Sequence, residues 1–146
     1  MILTEAGKRD DGLISKLTEV WEASVRATHG FLSEAEICRL SEYVPEALRS
    51  VSILIAAEDD EGNPCAFMGI EDGKLEMLFI APSERGMGLG RRLLTYGIER
   101  YGVRRLAVNE QNPQAEGFYE HMGFHVCGRS DHDEQGNPYP VLYMSL

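Results

Sequence analysis

Three glycines stand at alternate positions, Gly86-Met87-Gly88-Leu89-Gly90, between an apolar stretch and an amphipathic one. The stretch before them, Lys74–Ala81, carries apolar residues on both faces, as a central strand does. After them, Leu93, Leu94, Ile98 and Tyr101 recur along one side of a helix. Without Cβ atoms in the way, backbone N–H groups converge in a turn of alternating glycines. The first N–H groups of the helix lack intrahelical partners and carry the positive end of its dipole. The turn is therefore an anion site suited to a diphosphate. Arg85, Arg91 and Arg92 gather positive charge at this one place, in a chain whose net charge is −10.

The flanking sequence sets the rest of the architecture. Met1–Ala6 reads as an edge strand, and Leu13, Leu17, Val20, Trp21, Ser24 and Val25 place a helix over Asp11–Ala27. Ser33-Glu34-Ala35-Glu36 has the capping-box pattern of a helix start, and Pro45 kinks or restarts that helix. Val51–Glu58 and Cys65–Glu71 form a hairpin across Asp59–Pro64, and Asp72-Gly73 turns the chain into Lys74–Ala81. Beyond the glycine helix, Val103–Asn109 is a strand. Asn112-Pro113 caps a short helix that ends near Met122, with Gly123 as its left-handed cap. Phe124–Arg129 and Tyr139–Leu146 are the last strands, joined by Asp131–Pro138. The order β-α-α-β-β-β-α-β-α-β-β describes one α/β domain over residues 1–146. Its sheet is mixed and mostly antiparallel, of about seven strands, flanked by helices. One parallel crossover lies at the glycine loop, and the C-terminal strands offer pairing across a homodimer.

Composition removes several classes. No stretch reaches the roughly 18 apolar residues of a membrane span. The start, Met1-Ile2-Leu3-Thr4-Glu5, lacks the basic and apolar regions of a signal peptide, so a cytoplasmic location is expected. Cys38, Cys65 and Cys127 have neither disulfide-framework nor zinc spacing, and no metal is expected. The acidic charge disfavours a nucleic-acid partner. No Lys-Ser/Thr follows Gly90, which excludes a nucleotide-hydrolysing P-loop. A dinucleotide site would use Glu110, about 20 residues past the glycines. The Gly-x-Gly-x-Gly spacing and the short remaining chain argue against it.

Arg85-Gly86-Met87-Gly88-Leu89-Gly90 resembles the Arg/Gln-x-x-Gly-x-Gly/Ala pyrophosphate motif of the GNAT superfamily of N-acetyltransferases. A second pattern similar to that family follows at the expected distance, in Asn109, Asn112, Ala115, Phe118-Tyr119 and Met122-Gly123-Phe124. Thr28-His29-Gly30-Phe31-Leu32 and Pro138-Tyr139-Pro140 are similar to a group of small bacterial members. The resemblance implies acetyl-CoA as co-substrate and an amine of a small molecule or protein as acceptor. It implies that the amides of Arg85, Gly86, Met87, Gly88, Leu89, Gly90 and Arg91 hold the pyrophosphate. The pantetheine would lie along Leu78, Phe79 and Ile80 like an added strand, with Asn112 bonding its arm. The strands Leu75–Ala81 and Leu106–Asn109 would splay to admit the thioester. Tyr119 would protonate the departing thiolate. An alternative on the same scaffold is a noncatalytic module that binds acyl-CoA.

Attack by a lysine-like amine requires its deprotonation, which costs roughly 4.6 kcal/mol at pH 7 from a pKa of about 10.4. Glu76, at the start of the central strand and in phase with Leu78 and Ile80, is the first expected base. Glu110 and His29 follow, His29 because imidazole titrates near neutrality. Glu76 is readable also as a strand cap or an arginine partner, Glu110 reads better as a solvated loop acid, and His29 as a wall of the acceptor pocket or packed against Trp21. His121, His125 and His132 lack metal spacing and read as surface residues. Trp21, Phe31 and Tyr43 are readable either as acceptor contacts or as core.

Overall fold

A computed structural model describes residues 1–146. Strand β1 (Ile2–Glu5) precedes three helices, α1 (Asp11–Thr28), α2 (Glu34–Ser41) and α3 (Val44–Ser50). Strands β2 (Ile53–Glu58), β3 (Pro64–Glu71) and β4 (Lys74–Ile80) follow as an antiparallel meander. A 3-10 turn over Pro82–Glu84 leads to α4 (Leu89–Tyr101). Strand β5 (Arg105–Asn109), helix α5 (Pro113–His121), and strands β6 (His125–Ser130) and β7 (Val141–Ser145) complete the chain. The seven strands lie in the order β1-β2-β3-β4-β5-β7-β6. Only β4 and β5 run parallel, joined by the crossover through α4.

Local chemistry accounts for the helix ends. Asp10 accepts from the Leu13 amide to start α1, and Ser33 and Glu36 form the reciprocal capping box of α2. Pro45 stands in the first turn of α3, so the proline restarts the chain as a third helix rather than kinking the second. Gly123 has φ of 101°, the left-handed conformation that ends α5. Asp72 and Gly73 both have positive φ, as a tight two-residue hairpin demands. Strand β7 begins at Val141, two residues later than the sequence suggests. Pro138 and Pro140 flank Tyr139 and have no N–H to give to a ladder.

The sheet separates two cores. Helices α1 to α3 cover one face, where Leu17, Trp21, Leu48, Leu54 and Phe67 pack. Helices α4 and α5 cover the other, with Ile55, Met68, Leu93, Leu94, Leu106 and Met144. Strands β2 and β3 are buried on both faces, which is why their sequences are apolar without alternation.

Two irregularities shape the centre of the sheet. The β4–β5 pairing covers only Lys74 with Arg105 and Leu75 with Leu106. Beyond it β4 stays on β3 to Ile80 and β5 stays on β7 to Asn109, so the strands diverge as expected. The β3–β4 register also shifts: Gly69 faces Met77 and Ile70 faces Leu75, which leaves Glu76 without a partner. This bulge resets the alternation of β4. Leu75, Leu78 and Ile80 pack toward α4, while Met77 and Phe79 pack toward α1. Leu75 therefore falls out of alternation with Met77 across the bulge, and Glu76 is the extra residue between them.

Candidate active site

The glycine turn divides its labour. Gly86 and Gly88 each have φ of 78°, and a Cβ on either would meet no atom within 4 Å. They are required for conformation, since left-handed backbone costs other residues about 1–2 kcal/mol. A Cβ on Gly90 would lie 2.9 Å from Ile80 Cδ1 and 3.5 Å from Phe118 Cζ, so Gly90 is required for close approach. Gly88 begins α4 with no side-chain cap, and the first amide to bond back is that of Arg92, to the Gly88 carbonyl at 3.0 Å. The N–H groups from Gly86 to Arg91 donate to nothing within the chain. Free amides, a helix N-terminus and the side chains of Arg85 and Arg91 border one cavity of about 420 Å³. A diphosphate fits this donor set. Arg92 instead donates to the Met1 carbonyl at 2.5 Å and ties the loop to the edge strand.

Leu78, Ile80, Asn112, Ala115, Phe118 and Tyr119 form the inner wall of the same cavity. Asn112 Oδ1 accepts from the Ala115 amide at 3.2 Å, which caps α5 and leaves the Asn112 amide N–H₂ to donate elsewhere. Phe79 lies on the opposite side of its strand, 5.5 Å from Phe67, and Met87 is exposed. Neither side chain borders the cavity, so both can contribute to it only through the backbone.

The diverging strands enclose a second, smaller cavity of about 140 Å³. His29, Glu76, Leu78, Asn109, Asn112 and Tyr119 are among the residues around it. Leu78, Asn112, Ala115 and Tyr119 border both cavities, so Tyr119 stands where they adjoin. Its ring is 9% exposed and meets Phe118 and Phe124 edge-on, at 5.3 and 6.2 Å. Its hydroxyl forms no hydrogen bond within the chain, and burial pushes the phenol pKa up from its ordinary value. Tyr119 therefore stays protonated, with its proton uncommitted.

The three expected bases separate. Glu76 borders the slot from the bulge, and its nearest cation is Lys74, at 3.7 Å. Lys74 is itself hydrogen-bonded to Glu134. His29, at the end of α1, borders the slot from the opposite element. Burial, and then the charge of Arg85, hold its pKa below the usual imidazole value. Glu110 borders neither cavity. Arg129 clasps it with two hydrogen bonds, which lower its carboxyl pKa. The solvated-acid reading of Glu110 fits this geometry.

Among the aromatics expected around an acceptor, Trp21 is core and Tyr43 is exposed, away from both cavities. Phe31 stacks between His29, at 5.3 Å, and Tyr139, at 5.8 Å, and so links the last loop to the slot. Sequence reasoning missed Ser24 and Thr28, which bring the face of α1 to the larger cavity. Ser24 is 2% exposed and is the one buried polar residue. A polar residue at a core position of a periodic helix was the available signal.

The sequence profile described as Acetyltransferase (GNAT) domain matches residues 26–139. The chain is 39% identical over 142 residues to Peptidyl-lysine N-acetyltransferase YjaB of Salmonella typhimurium, covering 97% of this chain and 96% of that protein. The solution structure of apo-form YjaB from Escherichia coli superposes with a TM-score of 0.87 at 35% identity, over 99% of this chain and 97% of that one. An aminoglycoside 6'-N-acetyltransferase complexed with coenzyme A shares the fold alone, with a TM-score of 0.66 at 17% identity, over 100% and 96% of the two chains. With its splayed parallel strands, its glycine-turn anion cradle and a profile match over most of its length, this chain belongs to the GNAT family of N-acetyltransferases.

Proposed function

We propose that the chain transfers the acetyl group of acetyl-CoA to the ε-amine of a protein lysine, with Tyr119 as the general acid. The position of the Tyr119 hydroxyl, unbonded and at the junction of the two cavities, carries this reading. The lysine acceptor is supported by the relatives named peptidyl-lysine N-acetyltransferases. Acetyl-CoA supplies an acyl carbon activated by its thioester.

The amides from Gly86 to Arg91, with Arg85 and Arg91, bind the diphosphate. The open edge of β4 at Leu78, Phe79 and Ile80 aligns the pantetheine, and Asn112 donates to it from its free amide. The smaller cavity shields the reacting atoms. Tyr119 gives its proton to the sulfur as the C–S bond breaks. The charge developing on sulfur draws out a proton that burial otherwise keeps on the phenol. The ammonium of the acceptor enters beside Glu76 and His29, the two groups around the slot able to take its proton. Glu76, the base expected from the sequence, also attracts the ammonium through its negative charge.

The test is mass spectrometry of acetyl-CoA reactions with lysine peptides, polyamines and aminoglycosides. Acetylation of peptide ε-amines is expected. Transfer confined to the small amines would overturn the acceptor. In Tyr119→Phe, kcat should fall about 10²-fold, with CoA affinity within about twofold. A mutant with unchanged kcat would remove Tyr119 from the role.

A further inference from the structure

We propose that Thr28 is a positioning residue. It locks His29 as the Nδ1–H tautomer, so that the Nε2 lone pair is presented to the slot as the proton acceptor for the incoming amine. The proposal rests on the acetyl-transfer reading and on the hydrogen-bond valence of one hydroxyl. Thr28 Oγ1 is 2.8 Å from the Ser24 carbonyl oxygen and 2.8 Å from His29 Nδ1. A hydroxyl has one proton, and a carbonyl oxygen can only accept. The Thr28 proton is therefore spent on Ser24, and Oγ1 has only lone pairs to offer His29. Nδ1 must carry the hydrogen and donate it. In a neutral imidazole the lone pair then resides on Nε2. Nε2 has no partner within the chain, and the imidazole borders the slot.

The surroundings favour a ring that is neutral at rest. Arg85 faces it with positive charge, and burial opposes protonation. Glu76 borders the slot from β4 and Tyr119 from α5, while the uncharged Phe31 ring packs against His29, backed by Tyr139. Glu76 shares its charge with Lys74, and it holds the ammonium while His29 takes the proton. In the step, one N–H bond of the ammonium breaks and its proton moves to Nε2. The amine lone pair then forms the C–N bond as the C–S bond breaks, the sulfur takes the Tyr119 proton, and the newly acylated nitrogen gives its second proton to solvent. The imidazolium keeps its Nδ1–H on Thr28 and releases the Nε2 proton to solvent, from which Tyr119 is reprotonated.

The experiment is imidazole ¹⁵N NMR on the full chain, with the His29 signals assigned by their loss in His29→Gln. Kinetics on Thr28→Val and Thr28→Ser accompany it. The wild type and Thr28→Ser should show the Nδ1–H tautomer above the His29 titration, and Thr28→Val a mixture. In Thr28→Val, kcat should fall roughly tenfold or more, with CoA affinity retained. Thr28→Ser should recover most of the loss. The acid limb of the wild-type kcat profile should disappear in His29→Gln and not in Glu76→Gln. An Nε2–H tautomer in the wild type, or wild-type kcat in a folded Thr28→Val, overturns the assignment. Nδ1–H in a protein inert toward lysine peptides overturns the lysine acceptor and leaves the tautomer lock supported.

Discussion

At the scale of single residues, the glycine turn separates conformation from space. Gly88→Ala meets no steric obstacle but forces alanine to φ of 78°. It should cost about 1–2 kcal/mol of stability, read as a lower urea midpoint. Gly90→Ala has permitted dihedrals, but its Cβ pushes on Ile80 Cδ1 at 2.9 Å, and Ile80 borders the larger cavity, where the diphosphate is proposed to bind. Stability should stay near wild type while CoA affinity, by calorimetry, falls roughly tenfold, or ~1.4 kcal/mol. Equal effects of the two alanines would contradict this division. The residues that bring free amides together were legible in the sequence because glycine spacing reports backbone need directly. Tyr119 was legible because it stands in a motif. The difference between Glu110 and Glu76 was not. Both are acids near strand ends, and only the fold distinguishes them, by bringing Arg129 onto Glu110 and placing Glu76 beside the slot. The same holds for Thr28, whose meaning depends on two hydrogen bonds made by one hydroxyl.

At the scale of elements, a single arginine holds the α1 entrance in place. Arg9 donates from Nε to the Ala6 carbonyl, and from its Nη atoms to the carbonyls of Leu48, Arg49, Val51 and Ser52. It thereby joins the β1–α1 turn to the end of α3, where the helix leaves carbonyls unpaired and its dipole favours a cation. Arg9→Met should destabilise the protein by about 2 kcal/mol. Arg9→Lys should recover only part, because an ammonium lacks the planar fork. Denaturation midpoints that leave Arg9→Met at wild type would show the cluster to be idle. No sequence pattern announced this contact, since the carbonyls lie some 40 residues away along the chain. Helices and strands were legible from periodicity and caps. The bulge at Glu76 was not, because an inserted residue preserves composition and changes only register. That register change places Met77 against α1 and Leu78 toward the larger cavity.

At the scale of the molecule, one sheet serves two cores that never touch directly. The α1 side holds the single tryptophan, Trp21, and the α4 side holds Leu93, fully buried in the other cluster. Strands β2 and β3 supply both clusters from alternate residues, Leu54 and Phe67 to one, Ile55 and Met68 to the other. Neither set of helices can leave without exposing the opposite face of strands that are apolar on both sides. The faces should therefore unfold together, as a domain of this size usually does. Leu93→Ala should remove about 2–5 kcal/mol. That loss should appear in full in the urea transition followed by Trp21 fluorescence, on the far side of the sheet. The far-UV circular dichroism transition should coincide with it at an unchanged m value. If the Trp21 transition stayed at its wild-type midpoint while the dichroism moved, the α1–α3 layer would be an independent unit. The slot between the layers, with His29 on one and Tyr119 on the other, would then lack the rigidity that its chemistry requires.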